Sequence, residues 1–184
     1  MDRRTVPEGG RTVVADGGTE RRQLSNVAGL TVASPAFERG EGLPARYTCD
    51  GAGESPPLSI AGVPEETESL ALVVDDPDAP GQNPFVHWLL WNVPADTTDV
   101  PAGVPKDEIA LGGARQGRND GGTLGYFAAC PSRGDTPHEY RITLYALDRV
   151  LDLHPGARHE QVSRAIDDAL VERTTLTATY RRAE

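Results

Sequence analysis

Hydrophobic and polar positions along this chain alternate in short bursts rather than in long helical stripes. Ser69–Asp75 (SLALVVD) is a continuous apolar run, which predicts a strand buried on both faces. His87–Val93 (HWLLWNV) is a second such run. Tyr140–Asp148 (YRITLYALD) alternates and is rich in β-forming residues. Leu176–Tyr180 places Leu176, Ala178 and Tyr180 on one face by the two-residue period of a strand, and Leu30–Ala36 is a weaker strand candidate. One stretch carries the helical period instead. In Ala157–Arg173 the apolar residues Val162, Ala165, Ile166, Ala169 and Leu170 form one stripe, just after the breaker Pro155-Gly156. The 20 glycines and 15 prolines favour many strands joined by turns. One helix between late strands of a strand-dominated chain predicts an all-β sandwich with a peripheral helix.

The pattern fades at the N-terminus. Residues 1–27 are polar, Gly-rich and charged, which predicts a mobile arm with at most one short strand near Thr12–Ala15. Residues 28–184 then make a single domain, packed from about Leu30 onward. Composition adds an acidic surface: 28 Asp and Glu face 18 Lys and Arg, a net charge of −10, and Lys106 is the one lysine. Such a surface holds water and counter-ions and suits strong screening. Two readings stay open: a salt-rich cytoplasm, as in haloarchaea, or an acidic protein of a GC-rich genome that favours Arg over Lys. No basic face of the size nucleic acid requires is present. No stretch reaches the roughly 18 apolar residues of a membrane span, and no apolar run follows Arg3-Arg4 as a signal would require. The expectation is a cytoplasmic protein without membrane insertion. Cys49 and Cys130 lack CxxC spacing, so a structural zinc site is not expected and buried thiols are the favoured reading.

Candidate chemistry gathers at strand ends. Asp75-Asp76-Pro77-Asp78-Ala79-Pro80 follows directly on an apolar strand, and its prolines stiffen the turn. Read alone it is a solvated acidic turn. His87, at the head of the next apolar run, returns beside that turn, where a carboxylate neighbour would hold it oriented and protonated near neutral pH. Read alone it is a core histidine bonded to a backbone carbonyl. Cys130 to Tyr140 form a Pro/Gly-rich loop feeding another strand, in which His138 and Tyr140 share a face and offer two donors to an anion.

DPDAP, then HW at the head of an apolar strand, then His138-x-Tyr140 before LYALD, resembles the phosphatidylethanolamine-binding protein family, which includes Raf kinase inhibitor proteins and plant flowering regulators. The likeness is to its bacterial and archaeal branch. Tyr47-Thr48-Cys49-Asp50-Gly51, Ser55-Pro56-Pro57-Leu58, Asn92-Val93-Pro94 and the late helix followed by Thr-Tyr also fit, so the match runs from about Leu30 to Tyr180. The resemblance implies an antiparallel β-sandwich with one or two peripheral helices and a small pocket at one end. It implies that Asp76, Asp78, Pro80, His87, His138 and Tyr140 form that pocket and bind phosphate, a carboxylate or a phosphoethanolamine-like head group. Two departures stand out: Glu139 replaces an Arg common in the family, and the loop from Phe127 to Ser132 is less Gly-Pro-rich, with Cys130 a candidate for the pocket rim.

The expected role is a small-anion or head-group binding protein with a regulatory function, needing no cofactor and no metal. Inhibition of a kinase or protease through the pocket rim is one alternative, and a homodimer is a reasonable assembly. Catalysis by the Asp–His pocket is another alternative. It ranks lower because neither Ser132 nor Cys130 sits in an activated-nucleophile motif. The chain is therefore not expected to be an enzyme.

Overall fold

The computed structural model describes residues 29–183. The arm expected over residues 1–27, its short strand near Thr12–Ala15 and a domain start at residue 28 lie outside the described residues. Along the described chain come β1 (Thr31–Ala33), β2 (Leu58–Ala61), β3 (Ser69–Asp76), β4 (Phe85–Pro94), β5 (Asp99–Val100), β6 (Ile109–Ala110), β7 (Ala114–Gln116), β8 (His138–Leu147), α1 (His159–Ala169) and β9 (Leu170–Tyr180). They form a three-stranded sheet, β1-β2-β5, and a six-stranded sheet, β6-β7-β4-β3-β8-β9. Every pairing between these strands is antiparallel. The fold is the expected antiparallel β-sandwich, with one peripheral α-helix.

Strand alternation divides the apolar residues between two cores. Leu70, Leu72 and Val74 of β3, Trp88 and Leu90 of β4, and Ile142 and Leu144 of β8 pack between the sheets with Val32, Leu58 and Ile60. The opposite face of the large sheet presents Ala71, Val73, Leu89 and Trp91 to Val162, Ile166 and Ala169 of α1. This explains why β3 and β4 read as unbroken apolar runs: both faces are covered. A buried amide closes the first core. Trp88 Nε1 donates to Gln116 Oε1 at 2.7 Å, and Gln116 Nε2 donates to the carbonyls of Pro105 and Asp107.

The helix is shorter than its period predicts. It covers His159–Ala169, and Leu170 to Arg173 already belong to β9, where Leu170 pairs with Leu147 and Arg173 with Tyr145. The edge of β8 needs partners along its whole length, and that demand overrides the helical stripe at Leu170, which is exposed rather than packed. At the other end the Arg158 N–H donates to Gln161 Oε1 at 3.1 Å, closing the first turn. The strand expected over Leu30–Ala36 ends at Ala33, ahead of Pro35.

Strand β4 departs from regular pairing twice. Val74 pairs with Trp88, but its neighbour Asp75 pairs with Val86, so His87 is an extra, unpaired residue. A second irregularity lies between Leu90 and Val93, where Asn92 takes φ 57° and its amide grips the backbone of Leu151 in both directions.

Candidate functional site

The bulge at His87 decides which way that ring faces. Regular alternation from Trp88 would turn His87 toward the helix and Val86 toward the sandwich interior. The extra residue reverses this: Val86 joins the helix-side core, and His87 contacts Tyr140 of β8 with ring centroids 5.3 Å apart. Asp76 follows Val74 on the inner face of β3, and His138 and Tyr140 alternate with the exposed Glu139 on β8. Three strands thus bring Asp76, His87, His138 and Tyr140 to one cavity of about 160 Å³, with Pro80, Phe85, Phe127, Pro131 and Ser132 completing its walls.

Asp76 is 3% exposed and uses both oxygens. Oδ2 pairs with His138 Nδ1 at 2.7 Å, and Oδ1 accepts the backbone N–H of Asp78 at 2.9 Å. Asp135, in the loop before β8, stands 3.4 Å from the other ring nitrogen of His138. Burial works against a charge on His138, but the two carboxylates outweigh it and lift its pKa above the ordinary 6.5. Tyr140 has a buried hydroxyl that makes no geometrically sound hydrogen bond among the described residues. Burial and the nearby Asp76 push that phenol far up, so it stays protonated.

His87 differs from the expectation of a charged imidazole held by the acidic turn. Its Nδ1 lies 2.8 Å from the Phe127 carbonyl, and the Phe127 N–H donates back to the His87 carbonyl at 2.8 Å. Burial lowers its pKa below 6.5, although the Phe127 carbonyl and the charges of Asp76, Asp75 and Asp120 oppose the shift. The aspartates outweigh burial at His138 and not at His87, because only His138 touches a carboxylate.

Asp78, unlike His87, does not line the cavity. Its side chain is exposed to solvent and accepts the Glu139 N–H at 2.7 Å, latching the acidic turn to the start of β8. Asp75 faces the opposite side of the sheet, in a two-point ion pair with Arg141. The expected turn therefore divides its three carboxylates among three jobs. Glu139 points away from the cavity, as its place on the strand predicts.

The cysteines are not free thiols. Cys49 and Cys130 form a disulfide with an S–S distance of 2.00 Å. Their segments run side by side: Thr48 bridges Ala129, the Cys49 N–H donates to the Ala129 carbonyl, and Tyr126 Oη donates to the Tyr47 carbonyl at 2.7 Å. Sequence spacing alone could not pair residues so far apart. Cys130 does lie on the cavity wall. Reasoning from sequence missed Phe85, Phe127 and Asp135. The signal for Asp135 was its position three residues before His138; Phe127 had none, since it acts through its carbonyl.

The sequence profile of the phosphatidylethanolamine-binding protein family matches residues 33–181. The chain belongs to that family. Among relatives, a UPF0098 protein of Methanothermobacter thermautotrophicus is 46% identical over 153 residues, covering 83% of this chain and 99% of the relative. A Mycobacterium tuberculosis chain bearing a lipoprotein name is 39% identical over 151 residues, covering 82% of this chain and 72% of its own length. Among solved structures, Escherichia coli YbcL, described as a member of the mammalian PEBP family, superposes with a TM-score of 0.79 at 33% identity, covering 84% of this chain and 99% of that one. Among the described residues, no helix is long and apolar enough to cross a membrane.

Proposed function

We propose that the cavity between β3, β4 and β8 binds a small oxyanion, such as phosphate, a carboxylate or a phosphoethanolamine-like head group, and that the protein regulates through that occupancy. The observation that carries this reading is the Tyr140 hydroxyl, buried and unpartnered on a cavity wall between two imidazoles. An unmet buried hydroxyl costs about 1–3 kcal/mol, and the nearest carboxylate, Asp76, already gives its two oxygens to His138 and the Asp78 N–H, so the hydroxyl calls for a better-placed acceptor. The imidazolium of His138 adds a second donor from the same strand. The cavity's small volume suits a head group or a free ion rather than a whole lipid.

Isothermal titration of inorganic phosphate and of phosphoethanolamine into the full chain tests this. Saturable binding is expected, weakened about tenfold in Tyr140→Phe, the loss of one hydrogen bond to a charged acceptor. Equal affinity in the two proteins removes the reading. The Cys49–Cys130 disulfide supports an oxidising setting and weighs against the cytoplasm expected from composition. Kinase or protease inhibition and homodimer formation remain proposals that rest on the family likeness and on the frequency of symmetric pairs.

A further inference from the structure

Building on the oxyanion reading, we infer that the cavity selects an oxyacid that still carries a proton, because its wall presents a lone pair as well as donors and, among the described residues, holds no guanidinium or ammonium group.

The lone pair belongs to His87. A backbone carbonyl can only accept, so the 2.8 Å contact with the Phe127 oxygen assigns the proton to Nδ1. In the neutral ring Nε2 is then an acceptor, and it makes no hydrogen bond within the described protein. Phe85, 4.8 Å away, and Phe127, 6.0 Å away by ring centroids, give this nitrogen no competing donor. A ligand seated against it must donate. Tyr140 Oη and the weakly engaged Nε2–H of His138 supply donors on the other side. The complementary ligand is therefore one with an O–H and unprotonated oxygens on the same centre.

Charge points the same way. Asp76 of β3 and Tyr140 of β8 stand on the His87 side of the cavity, and the charges of Asp75, on the other face of the sheet, and of Asp120, in the loop after β7, also reach the ring. Around the cavity His138 is one positive charge held between two carboxylates, Asp76 and Asp135. Among the described residues, neither Lys nor Arg lines the wall. Arg133, next to Ser132, points its guanidinium to the Ala183 carbonyl and toward Asp50, and Arg141 is spent on Asp75 across the sheet. A fully ionised dianion has nothing to neutralise it here, and it would set oxygen lone pairs against the Nε2 lone pair of His87. A protonated phosphate or phosphomonoester meets the wall donor to acceptor. Sites built to pair with a ligand proton reject the analogue lacking it, because the buried group is left unmet.

Phosphate and sulfate have the same shape and size, but only phosphate keeps a proton near pH 6. Titration of sodium phosphate and of sodium sulfate into the full chain at pH 6, at equal ionic strength, reads the selection directly. Phosphate is expected to bind at least about tenfold more tightly than sulfate. Nitrogen NMR of the histidines gives a second readout in the unaltered protein: the unprotonated Nε2 resonance of His87 shifts on adding phosphate and stays in place with sulfate. In His87→Gln, whose amide can turn its NH₂ to the ligand, the phosphate-to-sulfate ratio is expected to fall toward one. Equal binding of the two ions to the unaltered protein overturns the proton selection and leaves the oxyanion reading standing. Binding of neither overturns both.

Discussion

Strands β3, β4 and β8 have two unlike regions, a middle and a pocket end. In the middle, Leu70–Val74, Trp88–Trp91 and Ile142–Leu144 are apolar at nearly every position and packed between the small sheet and α1. At the end the same strands carry Asp76, His87, His138 and Tyr140, as deeply buried but polar. The middle is held by volume, which many side chains of similar size can supply. The end is held by a few directed bonds, each reaching to a different loop: Asp76 to the acidic turn, His87 to Phe127, His138 to Asp135. Stability and binding should therefore separate along one set of strands.

The largest break of this comparison comes from the middle. Trp91→Ala removes a fully buried ring from the helix-side core and is expected to cost about 3–5 kcal/mol in urea unfolding. Phosphate affinity of the folded fraction should stay within about twofold, since Trp91 faces away from the cavity. A tenfold loss would show that the two regions are coupled.

Next comes the disulfide at the cavity wall. Replacing both Cys49 and Cys130 by Ser opens a link between residues 81 apart in sequence, which is expected to cost about 2–4 kcal/mol in unfolding experiments. Because Cys130 lies on the cavity wall, phosphate binding should weaken as well, unlike in Trp91→Ala.

Asp76→Asn acts at the pocket end alone. It should cost about 1.5–3 kcal/mol, the range of a hydrogen bond to a charged partner. It should also bring the His138 pKa down from its raised position, as read by proton NMR titration. An unmoved His138 would mean that Asp135 suffices to hold the charge.

The smallest effect is the pH response of the two histidines, and here their signs oppose. His138 has a raised pKa, so its contribution is full below pH 6.5 and is lost as pH climbs through the folded value. His87 has a lowered pKa, so its contribution is full above pH 6.5 and is lost as pH falls toward the folded value. Melting temperatures across pH 5 to 9 should fall off on both sides. His138→Asn should abolish the alkaline decline and His87→Phe the acid one. If one substitution removed both, the division of charge between the rings would be wrong.

How far the sequence carried each of these regions depends on the range of the forces involved. The middle was legible because burial on two faces writes itself into consecutive residues, as in SLALVVD and HWLLWNV. The helix was legible at its centre, around Val162 and Ile166, and misread at its end, where pairing with β8 captures Leu170 to Arg173. The site was legible as a set of residue types at strand ends, helped by the family likeness. Its internal roles were not, since Asp78 and Asp76 look equivalent in DPDAP until one faces a cavity and the other a backbone N–H.

By itself, then, the sequence determined the sandwich and the strands that supply the site, because periodicity and turn chemistry act over neighbouring residues, and through the family resemblance it named most of the side chains gathered there. Tertiary structure decided the rest: the bulge that turns His87 inward, the bond between Cys49 and Cys130, and which imidazole carries the charge. Those depend on what distant segments place around each ring, where burial without a touching carboxylate lowers the pKa of His87 and contact with Asp76 raises that of His138.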